Sequence, residues 1–192
     1  TPSETNLLTP SDITGGVFTD LQYQLDAVKM ALKAIENHSG VIIADVVGLG
    51  KSIIGSTVAK NLGLRTIIVC PPHLKQQWEE YKDEFKFTAS VFSSGKISDA
   101  LDHYRHIAQP NEKFLIVVDE AHHCLSDSYQ RVLAHFPDAN ILGVTATPDR
   151  GDMKNLGQYF DTKAYEYTMT QAITSTTQVR TAVAKLESSE YA

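Results

Sequence analysis

Cysteine is scarce: Cys70 and Cys124 are the only two in 192 residues. Two isolated thiols build neither a disulfide framework nor a four-ligand zinc site, so the expectation is a reduced, cytoplasmic protein. Tryptophan is scarcer still, with Trp78 alone. No apolar run is long enough to span a bilayer and none near the start has the form of a signal peptide, so no membrane partner is expected. Basic residues are not in excess either: 17 Lys and Arg against 23 Asp and Glu give a formal charge of −6. That balance argues against a strongly basic nucleic-acid wrapper, while leaving room for a local basic patch. No internal repeat is present. The start, Thr1-Pro2-Ser3-Glu4, lacks an initiator methionine, which suggests an excerpt of a longer chain.

What remains is an ordinary globular composition. Hydrophobic residues make up 42% of the chain, enough for a real core, and 192 residues suit one α/β domain, or one domain with a short appendage. Pro2, Pro10 and Gly15-Gly16 predict an irregular lead-in over 1–17. Leu21, Leu25, Val28, Leu32 and Ile35 fall at helical spacing, predicting a helix over about 19–37. Val41–Ala44, Thr66–Cys70 and Phe114–Val118 are uninterrupted apolar runs, as strands buried on both faces should be. Ala89–Phe92, Ile141–Ala146 and Ala164–Tyr167 predict further strands. Helices are expected over 52–62, 73–85, 97–107, 128–136 and 153–160. Residues 169–192 read as a Thr/Ser-rich tail. Alternating strands and helices imply a three-layer fold with a central, mainly parallel sheet and helices on both faces. Ligands then bind beyond the carboxyl ends of the strands. The loops 45–52, 70–75, 119–123 and 145–150 each follow a strand, so they should gather along one edge.

The first of these loops has the residues a polyphosphate needs. Asp45-Val46-Val47-Gly48-Leu49-Gly50-Lys51-Ser52 follows a buried strand and opens a helix. Gly48 and Gly50 free the backbone N–H groups to turn inward around Leu49, and the helix N-terminus faces the same anion. Lys51 supplies an ammonium for the β- and γ-phosphates, and the Ser52 hydroxyl is a ligand for Mg²⁺. The general pattern has a glycine where this chain has Asp45. A solvated strand–turn–helix with an exposed lysine is the plain alternative.

A second apolar run ends in Asp119-Glu120-Ala121-His122. Asp119 is placed to reach Mg²⁺ through water, and Glu120 to orient and deprotonate an attacking water. A solvated acidic turn is the plain alternative here; the pairing of the two segments favours ATP with Mg²⁺. His122-His123-Cys124 does not suit zinc, because adjacent residues do not converge on one tetrahedral ion. His122 suits a link to Thr145-Ala146-Thr147 at the next strand's exit.

These segments together resemble the first motor domain of superfamily 2 helicases and translocases, whose fold is the RecA-like P-loop NTPase. Asp45–Ser52 looks like motif I in a Gly-Leu-Gly-Lys form, common in DNA-translocase branches where Asp45's position is often not glycine. Val69-Cys70-Pro71-Pro72-His73-Leu74 with Gln77-Trp78 looks like motif Ia, Asp119–His122 like motif II (DEAH type), and Thr145-Ala146-Thr147-Pro148 like motif III. Leu21-Gln22-Tyr23-Gln24 is similar to an adenine-reading element, with Gln24 at the reading position. The segment from Thr147 to Asp161 resembles restriction-enzyme motor subunits, and the first third looks more like remodeller-type helicases.

The resemblance implies a motor domain over 18–168, a second motor domain in the same parent chain, and coupling through His122, Thr145 and Thr147. It also implies nucleic-acid backbone contacts at Pro72, His73 and Lys75, with DNA favoured over RNA. Trp78 is expected simply to pack in the core, and Ser94-Gly95-Lys96 is a weak further backbone contact. No second-domain arginine motif follows, so the isolated fragment should hydrolyse ATP poorly. An RNA helicase domain and a non-catalytic nucleotide-binding module are the alternatives.

Overall fold

The computed structural model describes residues 6–37, 40–45, 50–120, 127–146 and 166–167. Its helices are α1 (Pro10–Thr14), α2 (Gln22–Asn37), α3 (Lys51–Leu62), α4 (Lys75–Glu84), α5 (Ile97–Ile107) and α6 (Asp127–His135). Its strands are β1 (Gly40–Asp45), β2 (Arg65–Cys70), β3 (Ala89–Ser93), β4 (Phe114–Asp119), β5 (Asn140–Ala146) and β6 (Glu166–Tyr167). The strands form one six-stranded sheet in the order β3-β2-β4-β5-β1-β6, and every pairing is parallel.

All six residues of β4 are buried, as are the last five of β2. The two-residue period of a strand then divides one apolar run between two cores. Ile68, Cys70, Leu115, Val117, Leu142 and Val144 join one cluster with α2, α3 and Trp78 of α4. Ile67, Val69, Ile116 and Val118 join another with α5 and α6, centred on Tyr104, Phe114 and Phe136. This is why the central strands read as continuous apolar runs.

The lead-in differs from expectation. Pro10–Thr14 is a short helix because Thr9 and Asp12 form a capping box, Pro10 sits in the first turn, and Gly15 ends it at φ 67°. The Asn61 side chain accepts from Leu8 N and donates to Leu8 O, both at 2.9 Å, tying this segment to α3. The helix expected from residue 73 begins instead with a 3-10 turn over Pro72–Leu74, closed by Leu74 N donating to Pro71 O at 3.0 Å. The expected helix at 153–160 and the tail 169–192 lie outside the described residues.

Register fixes what the sheet does for the site. Asp45 pairs with Ala146, Asp119 with Val144, and Val69 with Val118. Strands β1, β2, β4 and β5 therefore all end at the same edge.

Candidate functional site at the carboxyl edge of the sheet

Gly50 is the N-cap of α3 in the left-handed region, at φ 86°. A Cβ there would run into the side-chain amide of Gln24. Glycine is required twice over, by the backbone angle and by this close approach. Gln24 itself is buried and its Nε2 lies 3.3 Å from the Tyr23 hydroxyl. The adenine-reading candidate thus rests directly on the phosphate-loop candidate, though 26 residues separate Gln24 from Gly50.

Lys51 opens α3 and reaches across to the end of β4. Its Nζ donates to Glu120 Oε1 at 2.7 Å and stands 3.3 Å from Asp119 Oδ1. Burial alone would lower the Lys51 pKa; the hydrogen bond to Glu120 and the charges of Asp119 and Glu120 outweigh it, and the net shift is upward. Ser52, next along α3, is buried.

Asp119 is fully buried and both of its oxygens are engaged. Oδ1 accepts from the backbone N–H of Glu120 at 2.8 Å, and Oδ2 accepts from the indole N–H of Trp78 at 2.7 Å. Burying a carboxylate is costly unless it is paired and hydrogen-bonded, and here both conditions hold. Glu120 adopts φ 56°, a left-handed backbone that a side-chain-bearing residue rarely takes. Such strain concentrates at functional sites.

Further residues lie at this end. Cys70 ends β2; burial first, and the Asp119 charge second, push its thiol up to about 12. Pro72, His73 and Lys75 follow it and are exposed. Thr145 is buried on β5, paired with Ala44 of β1.

The structure therefore brings together Gln24, Gly50, Lys51, Ser52, Asp119 and Glu120 near one sheet edge, with Pro72, His73 and Lys75 on a neighbouring loop of that edge. Gly48, Leu49, His122 and Thr147 lie outside the described residues. The sequence reading placed Trp78 in the core, which is correct, but missed that its N–H holds a carboxylate. The available signal was its position one helical turn into α4, beside a strand whose neighbour ends in Asp119.

A magnesium site fits this donor set. Among the described residues no group of three or more His, Cys, Asp or Glu is arranged to hold a metal. Mg²⁺ needs no such cage: one or two hard oxygen ligands, with water and phosphate for the rest, are its usual complement. The Ser52 hydroxyl and the Asp119 carboxylate are ligands of that kind. No described helix is long and apolar enough to cross a membrane.

A glycine-capped helix whose first lysine meets a carboxylate doublet from another parallel strand defines the P-loop nucleoside triphosphatase class. Comparisons with known proteins narrow this. Residues 75–150 match the family model described as type III restriction enzyme, res subunit. The DNA 3'-5' translocase XPB2 of Sulfurisphaera tokodaii is 30% identical over 145 residues, which is 69% of this chain and 32% of that protein. The chain thus spans about a third of that relative's length. Among solved structures, the Sulfolobus solfataricus SWI2/SNF2 ATPase core in complex with dsDNA superposes with a TM-score of 0.62 at 18% identity, covering 81% of this chain and 38% of that one. A hypothetical ATP-dependent RNA helicase from Sulfolobus tokodaii gives 0.61 at 15% identity, covering 79% and 54%. The fold is that of these ATPase and helicase cores, and in sequence the chain is similar to part of a DNA translocase.

Proposed function

We propose that this chain is the ATP-binding half of an ATP-dependent DNA helicase or translocase, in which ATP hydrolysis drives movement along nucleic acid. The observation that carries the reading is the Lys51 ammonium lying 2.7 Å from Glu120 and 3.3 Å from Asp119 at the N-terminus of α3. An anion cradle and a metal-and-base pair then share one cation.

In this reading Gly48, Leu49, Gly50, Lys51 and Ser52 hold the phosphates and Gln24 reads the adenine. Ser52 and Asp119 would hold Mg²⁺, which when bound neutralises charge on the β- and γ-phosphates. Glu120 takes a proton from the attacking water as the bond between the γ-phosphorus and the ADP oxygen breaks, leaving ADP and phosphate. Lys51, now paired with the carboxylates, exchanges them for phosphate oxygens on binding, which frees Glu120 for the water. Asp119-Glu120-Ala121-His122 gives the domain a DEAH-type sequence, with His122, Thr145 and Thr147 as its coupling residues.

Pro72, His73 and Lys75 contact the nucleic-acid backbone; exposure at the same sheet edge suits that role. DNA is favoured over RNA because the Sulfurisphaera tokodaii relative is a DNA translocase and the restriction-subunit family model matches residues 75–150. The motor domain covers 18–168, residues 169–192 are a C-terminal tail or the start of the link to a second motor domain, and the parent protein works in the cytoplasm. The second domain would supply the arginines that stabilise the transferred phosphoryl.

The test is steady-state ATPase of the full-length protein with duplex DNA or with RNA. Stimulation by duplex DNA is expected, and stimulation by RNA alone would favour the RNA-helicase reading. Loss of nothing on Lys51→Ala would favour the non-catalytic module.

A further inference from the structure

We propose that Trp78 is a positioning residue for Asp119: its indole N–H holds one carboxylate oxygen so that the other faces the metal and phosphate site. This rests on the nucleotide reading above and deepens it, because it makes α4 a working part of the metal site.

Helix α4 is otherwise polar, and Trp78 is its one buried residue. The ring is completely buried and packs between two parts of the site. On one side is Gly55 of α3, where an added Cβ would stand 3.1 Å from the Trp78 ring and 3.8 Å from Val144. On the other is Asp119 Oδ2, which accepts the indole N–H at 2.7 Å. The helix that begins with Lys51 and the strand that ends in Asp119 are therefore gauged against the same ring.

A packing role alone does not need this nitrogen. Phe85 and Leu115 are equally buried and carry no polar group. The N–H matters because a carboxylate offers two equivalent oxygens and rotates between them. With Oδ2 held by Trp78, Oδ1 is the oxygen left toward Lys51. Groups that orient a metal ligand in this way alter metal affinity by about 10- to 100-fold. Trp78 also lies one turn from Lys75, at the start of α4. A displacement of the Pro72–Lys75 segment is thus delivered to the partner of Asp119.

Trp78 is the only tryptophan of the chain, which makes the test direct. Trp78→Phe removes the N–H and some volume. Replacement of Trp78 by its benzothiophene analogue removes the N–H and keeps the shape, so it stays informative if the phenylalanine variant folds poorly. A fluorescent ADP analogue is titrated with and without Mg²⁺. The expected result for the isosteric analogue is about tenfold weaker binding with Mg²⁺, and an unchanged affinity without it. In the unsubstituted protein the single indole N–H resonance should shift when Mg²⁺ and ADP are added, and again in Asp119→Asn. Wild-type affinity for Mg²⁺–ADP in the analogue would overturn the proposal, as would equal losses with and without the metal. Failure of the unsubstituted chain to bind ADP under either condition would overturn the nucleotide reading itself.

Discussion

The two ends of the sheet both carry ion pairs, and they differ in nearly everything else. At the amino end, Arg65 Nε meets Glu112 Oε1 at 3.1 Å, with side chains 32% and 21% exposed. At the carboxyl end, Lys51 meets Asp119 and Glu120, and Asp119 has no exposure at all. The first pair is partly exposed on both sides, as Lys51 and Glu120 are, so solvent screens it in part and its contribution is modest. The second is held in a low-dielectric setting where a missing partner leaves an uncompensated charge. Positive φ occurs at both ends, at Gly63, Lys86 and Asn111 before β2, β3 and β4 and at Gly50 and Glu120 at the carboxyl end, but only Glu120 adjoins a fully buried charge, that of Asp119. The amino end joins elements; the carboxyl end concentrates buried charge.

Substitutions at the two ends should separate widely. Lys51→Ala should reduce kcat for ATP hydrolysis by the full-length protein by at least about 10²–10³-fold, measured as phosphate release. Retained turnover would remove the distinction between the ends. Glu120→Gln should lower turnover by about 10²–10⁴-fold while nucleotide binding persists, seen as trapped ATP. If it hydrolysed normally, the base would lie elsewhere.

Gly50→Ala should cost about 1–2 kcal/mol in backbone strain and weaken nucleotide binding through the Gln24 clash, read by ligand titration and thermal unfolding. Arg65→Ala, the control at the other end, should cost only about 0.2–1 kcal/mol and leave nucleotide affinity unchanged. A large effect there would show that the amino end is not merely structural.

The smallest effect near neutrality concerns pH. Although burial opposes it, the Glu120 hydrogen bond and the charges of Asp119 and Glu120 raise the folded Lys51 pKa above the ordinary lysine value of 10.5. Its stabilising contribution is therefore fully present below 10.5 and lost as pH rises through the higher folded value. Unfolding curves should show an alkaline loss that Lys51→Ala reduces, and no contribution from this pair should change between pH 6 and 9.

Much of this was legible because the signals are local. Five consecutive apolar residues ending in Asp119 name a buried parallel strand with an acid at its exit. Gly63 closes α3 at φ 64°, as a helix-terminal glycine should. The breakers Pro10 and Gly15-Gly16 were misleading, because the same residues serve as the first turn and the cap of α1 once Thr9 and Asp12 bond across it. Residues 73 and 74 were likewise read as α-helix, whereas Pro72–Leu74 form a tighter 3-10 turn, which the fixed φ of Pro72 suits. The Trp78–Asp119 hydrogen bond was beyond local reading, since 41 residues separate its ends.

The sequence alone determined the order of strands and helices, the parallel character of the sheet, and the residue types at each strand exit. Those follow from short-range periodicity and backbone sterics. Tertiary structure decided which exits are neighbours: that Gln24 covers Gly50, that Lys51 meets Glu120, and that an apparently ordinary core tryptophan grips the buried Asp119. The reason is physical. Charge and hydrogen bonding act over a few ångströms of space, and only the register of the folded sheet brings residues so distant in the chain within that range.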